Sequence, residues 1–182
     1  DSTTGAGTAL SGPMAGLLAY KGDSSLVVDP RTLSMLVIDA NGEVARVMAV
    51  PSVRDVSAMV GGSYGAPGVD PRGRVVFRAF PPFVGPPVSE WPIAKRKELH
   101  AMSADSAPVL RVDIATRARD TIAFVKTSQP LFSSIFDESD RLTGTNIVEN
   151  PLPTVDAWAL MPDGRVAVVR GKDYHVDWLE LD

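Results

Sequence analysis

Gly61-Gly62-Ser63-Tyr64-Gly65 has the Gly-x-Ser-x-Gly spacing with which hydrolases raise a nucleophilic serine on a sharp strand-to-helix turn. His100 and His175 follow it in the chain, in the order such an enzyme would need for its base. The flanks argue for a loop instead, because Ala66-Pro67-Gly68 cannot readily start the required helix. Neither histidine has a second histidine or a carboxylate at metal-ligand spacing. His100 falls near Glu98 in an expected short helix and His175 near Asp177 in an expected strand, so both read as satisfied or exposed side chains. Asp137, Glu138 and Asp140, followed by Asn146, Glu149 and Asn150, make an acidic stretch. It lacks the alternate-residue spacing and central glycine of an EF-hand loop. Gly5-Ala6-Gly7 begins like a dinucleotide loop, but no strand precedes it and Leu10 stands where the third glycine belongs. The chain has no cysteine, which excludes disulfides, thiolate nucleophiles and cysteine-ligated zinc. None of Asn41, Asn146 and Asn150 starts a glycosylation acceptor. No catalytic residue and no cofactor is assigned from these patterns.

The elements that hold these residues repeat. Met35-Leu36-Val37-Ile38-Asp39, Val109-Leu110-Arg111-Val112-Asp113 and Trp178-Leu179-Glu180-Leu181-Asp182 share one pattern: any residue, Leu, any residue, a branched aliphatic, Asp. In a strand the Leu and the aliphatic share a face, and the Asp suits the turn that follows. Upstream of the copies stand Gly22-Asp23-Ser24-Ser25-Leu26-Val27-Val28-Asp29, Gly73-Arg74-Val75-Val76-Phe77-Arg78 and Gly164-Arg165-Val166-Ala167-Val168-Val169-Arg170. Each is a glycine turn and then a β-branched run. Further apolar segments follow the first two copies at 44–50 and 121–125. Leading strands are expected near 16–20, 66–69 and 157–160. The middle strand of the first unit is apolar on both faces, as in a sheet packed between neighbours. Arg111 and Glu180 replace that second face later, which predicts partial exposure or a polar contact.

Short antiparallel strands in units of four, repeated along a chain, are the pattern of β-propeller blades, and blades of roughly 40–50 residues leave room for about three or four. The phrases Gly-Asp-Ser-Ser-Leu-Val-Val-Asp-Pro-Arg-Thr-Leu, Val-Asp-Pro-Arg-Gly-Arg-Val-Val-Phe-Arg and Met-Pro-Asp-Gly-Arg-Val-Ala-Val-Val-Arg resemble bacterial six-bladed β-propellers of the NHL and TolB-like group, over about residues 20–182. The expected fold is therefore all-β: propeller-like blades of antiparallel four-stranded sheets in an incomplete ring. Residues 1–15 would be an extended arm or linker, and blades would occupy about 16–50, 65–125 and 155–182. The resemblance implies export to the periplasm or cell surface. It also raises an alternative, since calcium-dependent lactonase and esterase relatives hold a metal in the channel through Glu, Asn and Asp, for which Glu149, Asn150 and Asp156 would be the candidates. Half a ring leaves a blade face and strand edges unpaired. A fragment, further residues, or a neighbouring chain over the open side would each account for it.

Two insertions, 81–107 and 126–155, interrupt the repeats, and long loops are where binding concentrates. The first holds the extended Pro81-Pro82-Phe83-Val84-Gly85-Pro86-Pro87, a short helix expected over 93–102 and opened by Pro92, and the dense basic cluster Lys95-Arg96-Lys97. Phe83 and Trp91 would cap the propeller core or anchor a partner. The second holds Leu131-Phe132 and Ile135-Phe136. Phe83, Trp91, Lys95, Arg96, Lys97, Phe132 and Phe136 are the candidate partner-binding residues.

A chain of 182 residues, 45% hydrophobic and 22% charged, can bury a sizeable core, and its 15 Gly and 15 Pro suit many turns. A net charge of −4 offers nucleic acid no basic surface, and no apolar run is long enough to cross a membrane. The resulting expectation is a non-catalytic interaction module or accessory subunit. Its partners would be other protein subunits, on the outer side of a larger assembly, for which a membrane-bound respiratory or photosynthetic complex is one setting.

Overall fold

A computed structural model of the chain describes residues 16–62 and 64–180. The expected arm at 1–15, Ser63 and the last two residues of the third repeat copy lie outside the described residues. The first repeat forms strands β1 (Gly16–Ala19), β2 (Ser25–Asp29), β3 (Ser34–Ile38) and β4 (Val44–Ala49), an antiparallel sheet in that order. The second begins with β5 (Gly68–Val69) and β6 (Val75–Arg78). Its first insertion carries a single helical turn, α1 (Ile93–Arg96), and the short strand β7 (His100–Ala101). The repeat resumes as β8 (Ser106–Val112) and β9 (Arg119–Lys126), giving the sheet order β5-β6-β8-β9. After β10 (Leu131–Phe136) and β11 (Leu142–Val148), the third repeat supplies β12 (Ala157–Leu160), β13 (Val166–Arg170) and β14 (His175–Leu179), a three-stranded sheet in that order.

The aspartates that end the repeat phrases hold the turns. Asp39 Oδ1 accepts the amides of Asn41 and Glu43, both at 2.9 Å, and Asp113 Oδ1 accepts those of Ala115 and Thr116 at 2.9 and 2.8 Å. Asp70 does the same for Arg72 and Arg74 at the preceding kind of turn. A short carboxylate on the first turn residue takes amide donors that no strand partner can reach. The glycine of each first turn, Gly22, Gly73 and Gly164, has a left-handed φ of +62°, +83° and +92°, which costs a residue without a Cβ little.

The three repeat sheets stack in chain order. In β6 the side chains alternate between two cores. Val75 and Phe77 join Leu18, Leu26, Val28, Met35 and Val37 of the first sheet, with Val56 and Met59 of the connection closing that core. Val76 turns the other way, to Val109, Val125, Trp158, Val166 and Val168. The middle sheet is thus covered on both faces, and Phe77 and Val76 are both fully buried. At one end the leading strands β1, β5 and β12 line a shared cleft of about 380 Å³. These are propeller-like blades, and the sheets do not close into a barrel.

The insertions differ from the long loops expected. β10 and β11 pair as a hairpin, and β10 also pairs with β7 through Leu131↔Ala101 and Phe132↔His100, so the two insertions share a fourth sheet, in the order β11-β10-β7. The helix expected over 93–102 stops after one turn for the same reason. Pro92 provides no side-chain cap, and pairing with β10 claims His100 for a strand. The acidic stretch Asp137-Glu138-Ser139-Asp140 is the hairpin's turn: Asp137 Oδ1 accepts the amides of Ser139 and Arg141, both at 2.9 Å.

Candidate interaction groove

The insertion sheet builds an apolar groove of about 470 Å³, lined by Phe83, Trp91, Met102, Phe132, Leu142 and Ile147 among others. Two segments far apart in sequence make it. The proline-rich run is held by Val84 N–H donating to the Met102 carbonyl at 3.1 Å and Ala104 N–H to the Pro82 carbonyl at 2.8 Å. The hairpin contributes the facing strands β10 and β11.

Trp91 fixes the near wall. It is only 8% exposed, its indole N–H donates to the Pro86 carbonyl at 3.1 Å, and the His100 ring packs on it in a T-shaped arrangement with centroids 4.6 Å apart. His100 Nε2 donates to the Lys95 carbonyl, which ties the helical turn to β7. Trp91 belongs to neither blade core, so it anchors the insertion and does not cap the propeller core. Phe83 is 79% exposed and likewise caps nothing. It stands between the groove and a second cleft of about 510 Å³ that holds Phe80 and Phe124, both mostly exposed.

The basic cluster is occupied locally. Arg96 donates to the Trp91 carbonyl at 2.6 Å and the Ser89 carbonyl at 2.7 Å, Lys95 Nζ lies 4.8 Å from the centre of the Trp91 ring, and Lys97 Nζ meets Asp140 at 2.9 Å while lying 5.5 Å from the Phe136 ring centre. Of the seven candidates for partner binding, Phe83, Trp91, Arg96 and Phe132 line the groove. Lys95 buttresses its Trp91 wall, and Lys97 with Phe136 staples α1 to the hairpin turn. Met102, Leu142 and Ile147 were not singled out in the sequence. No alternation could have signalled the last two: five residues apart, Leu142 and Ile147 fall on opposite faces of a regular strand, and the register shift between Ile135 and Phe136 breaks that parity.

The other candidates are not brought together. Asp156 is buried beside the third sheet, where it accepts the amides of Lys126 at 2.9 Å and Gly171 at 3.0 Å and the Arg170 guanidinium at 2.9 Å. Burial pushes its carboxyl pKa up, but those three donors more than offset this and the net shift is down. Its lone pairs are committed to protein donors, and Asn150 Oδ1 accepts the Leu152 amide at 3.0 Å, while Glu149 is exposed. Among the described residues no group of three or more metal-ligating His, Asp or Glu side chains occurs. Around position 63 no strand precedes and no helix follows. Gly61, Tyr64 and Gly65 all have positive φ, as expected for an inter-blade loop. His175 pairs with Asp177 at 3.2 Å, and Arg111 is matched across the ladder to Asp120, whose carboxyl it holds below the usual range.

Among the described residues no helix is long and apolar enough to cross a membrane. Comparison with protein-family models and with curated protein sequences found no match to this chain, so the propeller-family resemblance is carried by its repeat phrases alone.

Proposed function

We propose that the chain is a non-catalytic interaction module that seats an apolar segment of a partner protein in the groove between its two insertions. The observation that carries this reading is the groove itself. Two unrelated insertions converge to build it, its Trp91 wall is locked by hydrogen bonds, and Phe83, Leu142 and Ile147 present their side chains to solvent. Soluble proteins seldom leave so much contiguous apolar surface uncovered unless something binds it. A rigid aromatic anchor beside an exposed one is the arrangement found at interaction hot spots. The periplasmic part of the setting is supported by the family resemblance, and a larger membrane-bound assembly is one place where such a module would serve.

The test replaces Phe83 with a photo-crosslinking amino acid in the source cell, with the same replacement at Leu152, which is exposed outside the groove, as the control. A single protein adduct at position 83 that disappears when Ile147→Asp is added supports the reading, and cell fractionation of the adduct tests the setting. Absence of an adduct at 83, or equal adducts at both positions, would overturn it.

A further inference from the structure

Among the described residues, the insertion sheet has one open edge. At its β7 end the proline-rich run takes up the continuing strand, with Phe83 bridged to Ser103, Val84 N–H donating to the Met102 carbonyl at 3.1 Å and Ala104 N–H to the Pro82 carbonyl at 2.8 Å. At the other end β11 pairs with β10 alone, and among the described residues no backbone group pairs with its outer side. All of its residues but Gly144 are exposed. A row of unmade amides and carbonyls is a template for another strand, and proteins blunt such edges with charge or proline. The last strands of the three repeat sheets are blunted in this way: β4 carries Arg46, β9 carries Arg119, Asp120 and Lys126, and β14 carries Asp177. Leu142-Thr143-Gly144-Thr145-Asn146-Ile147-Val148 has neither a charge nor a proline.

The strand is complementary to itself run in reverse. The register shift beside Leu142 brings Leu142, Thr145 and Ile147 to the groove face together, so Thr145 has an aliphatic neighbour on either side of it. Arg141 precedes the strand and Glu149 follows it, both exposed and neither in an ion pair among the described residues. Laid antiparallel about Thr145, two such strands set Leu142 of each near Ile147 of the other, and the Arg141 end of each beside the Glu149 end of the other. Asp140, next along, is already matched by Lys97 at 2.9 Å. A parallel pairing would instead set arginine beside arginine and glutamate beside glutamate.

We infer that β11 is the contact between two copies of this chain, paired edge to edge and antiparallel about a two-fold axis at Thr145. Two three-stranded sheets then become one of six strands, β7-β10-β11 of one copy continuing into β11-β10-β7 of the other. Residues directly opposed in such a pair point to the same face. Both grooves therefore open on one side of the joined sheet, and each copy's β11 walls the open lip of the other's groove. A two-fold contact uses the same patch twice and closes on itself, so growth ends at two copies. The pairing stands on the edge and its flanks, apart from what the groove binds.

The experiment joins sedimentation to a crosslink. The purified wild type is expected at twice the 19.4 kDa chain mass. The chain has no cysteine, so T145C supplies a single thiol. Opposed residues of an antiparallel pair have Cα atoms about 4.5–5.5 Å apart, within the roughly 4.4–6.8 Å that a disulfide spans. Mild oxidation should convert T145C to a covalent dimer and leave L17C, equally exposed to solvent on the first sheet, largely unlinked. R141E and E149R each set like charges at both ends of the pair, and each variant should dissociate about 5-fold more readily. Their equimolar mixture should recover the wild-type affinity, because opposite charges then meet at both ends. Both positions are exposed, and circular dichroism checks that the strands are kept. A monomeric wild type would overturn the inference in either of two ways, told apart by hydrogen exchange: slow amides in β11 would mean an edge covered from within the chain, and fast ones an edge left for a different partner. L17C crosslinking as readily as T145C, a dimer indifferent to R141E, or a mixture that fails to recover would overturn it as well.

Discussion

Arg170 Nη1 donates to Asp156 Oδ2 at 2.9 Å and to the Phe124 carbonyl at 2.8 Å, so one guanidinium on the third sheet holds both the entry to that sheet and the edge strand of the second. The same arginine donates from Nε to Asp177 at 2.7 Å, and these partners raise its pKa, that of Asp177 first. Asp156→Ala removes an acceptor shared by two amides and a cation, in a side chain that is 7% exposed. Arg170 is partly open to water, which softens the loss. The expected cost is about 2 kcal/mol, read as a lower urea midpoint with an unchanged slope.

That carboxylate also sets a pH dependence. Asp156 has a folded pKa below its unfolded value of about 4, so its contribution is complete above that value and is lost as pH falls through the folded pKa. Asp120 and Asp177 shift in the same direction through Arg111 and Arg170 respectively, but they sit in more solvent and add little. Urea midpoints of wild type and Asp156→Ala should therefore be well separated at neutral pH and converge below about pH 4. A gap that stays constant down to pH 2.5 would show that the carboxylate's charge is not what matters.

Gly171 is required by contact. A Cβ there would sit 2.0 Å from the Val155 carbonyl oxygen, a backbone atom that cannot swing away. Gly171→Ala should cost about 2 kcal/mol or more, while Gly144→Ala, whose Cβ would meet only Ile135 Cδ1 at 3.7 Å, should leave stability within about 0.5 kcal/mol of wild type. Thermal unfolding of the pair gives the comparison directly.

Trp91 should matter locally. Trp91→Ala removes the surface on which His100 packs and the donor to Pro86, yet touches neither blade core. Hydrogen exchange is expected to speed up at His100 and Ala101 and along β10, with the amides of β2, β6 and β13 unchanged. Phe77→Ala is the contrast. It empties a fully buried position in the first core and should cost about 3–5 kcal/mol globally.

The repeat was legible because its signals are local: a glycine that must turn, a β-branched run and an aspartate that caps its own turn, as at Asp39 and Asp113. The two-sided burial of Met35, Leu36 and Val37 was legible too, since both faces of that strand are apolar. The insertion sheet was not. Pairing Leu131 with Ala101 joins segments 30 residues apart, and no short-range pattern in His100-Ala101 announces a strand. The groove was half visible for the same reason. Phe83, Trp91 and Phe132 stand out as aromatics, but their convergence depends on that long-range pairing. Lys95-Arg96-Lys97 shows its charge in the sequence, but not the carbonyls, the Trp91 ring and the Asp140 carboxylate that its side chains meet.

The alternation in β6 has one more consequence. Backbone hydrogen bonds would be as well made if this strand slipped by one residue, but the slip would exchange the contents of the two cores. Phe77 would then be thrust among Val125, Val166 and Val168, and a valine would be left to fill the space beside Met35 and Met59. One compartment would be overfilled and the other hollow. The difference in volume between two adjacent side chains is therefore a registration mark: it tells the middle sheet which neighbour belongs on which side.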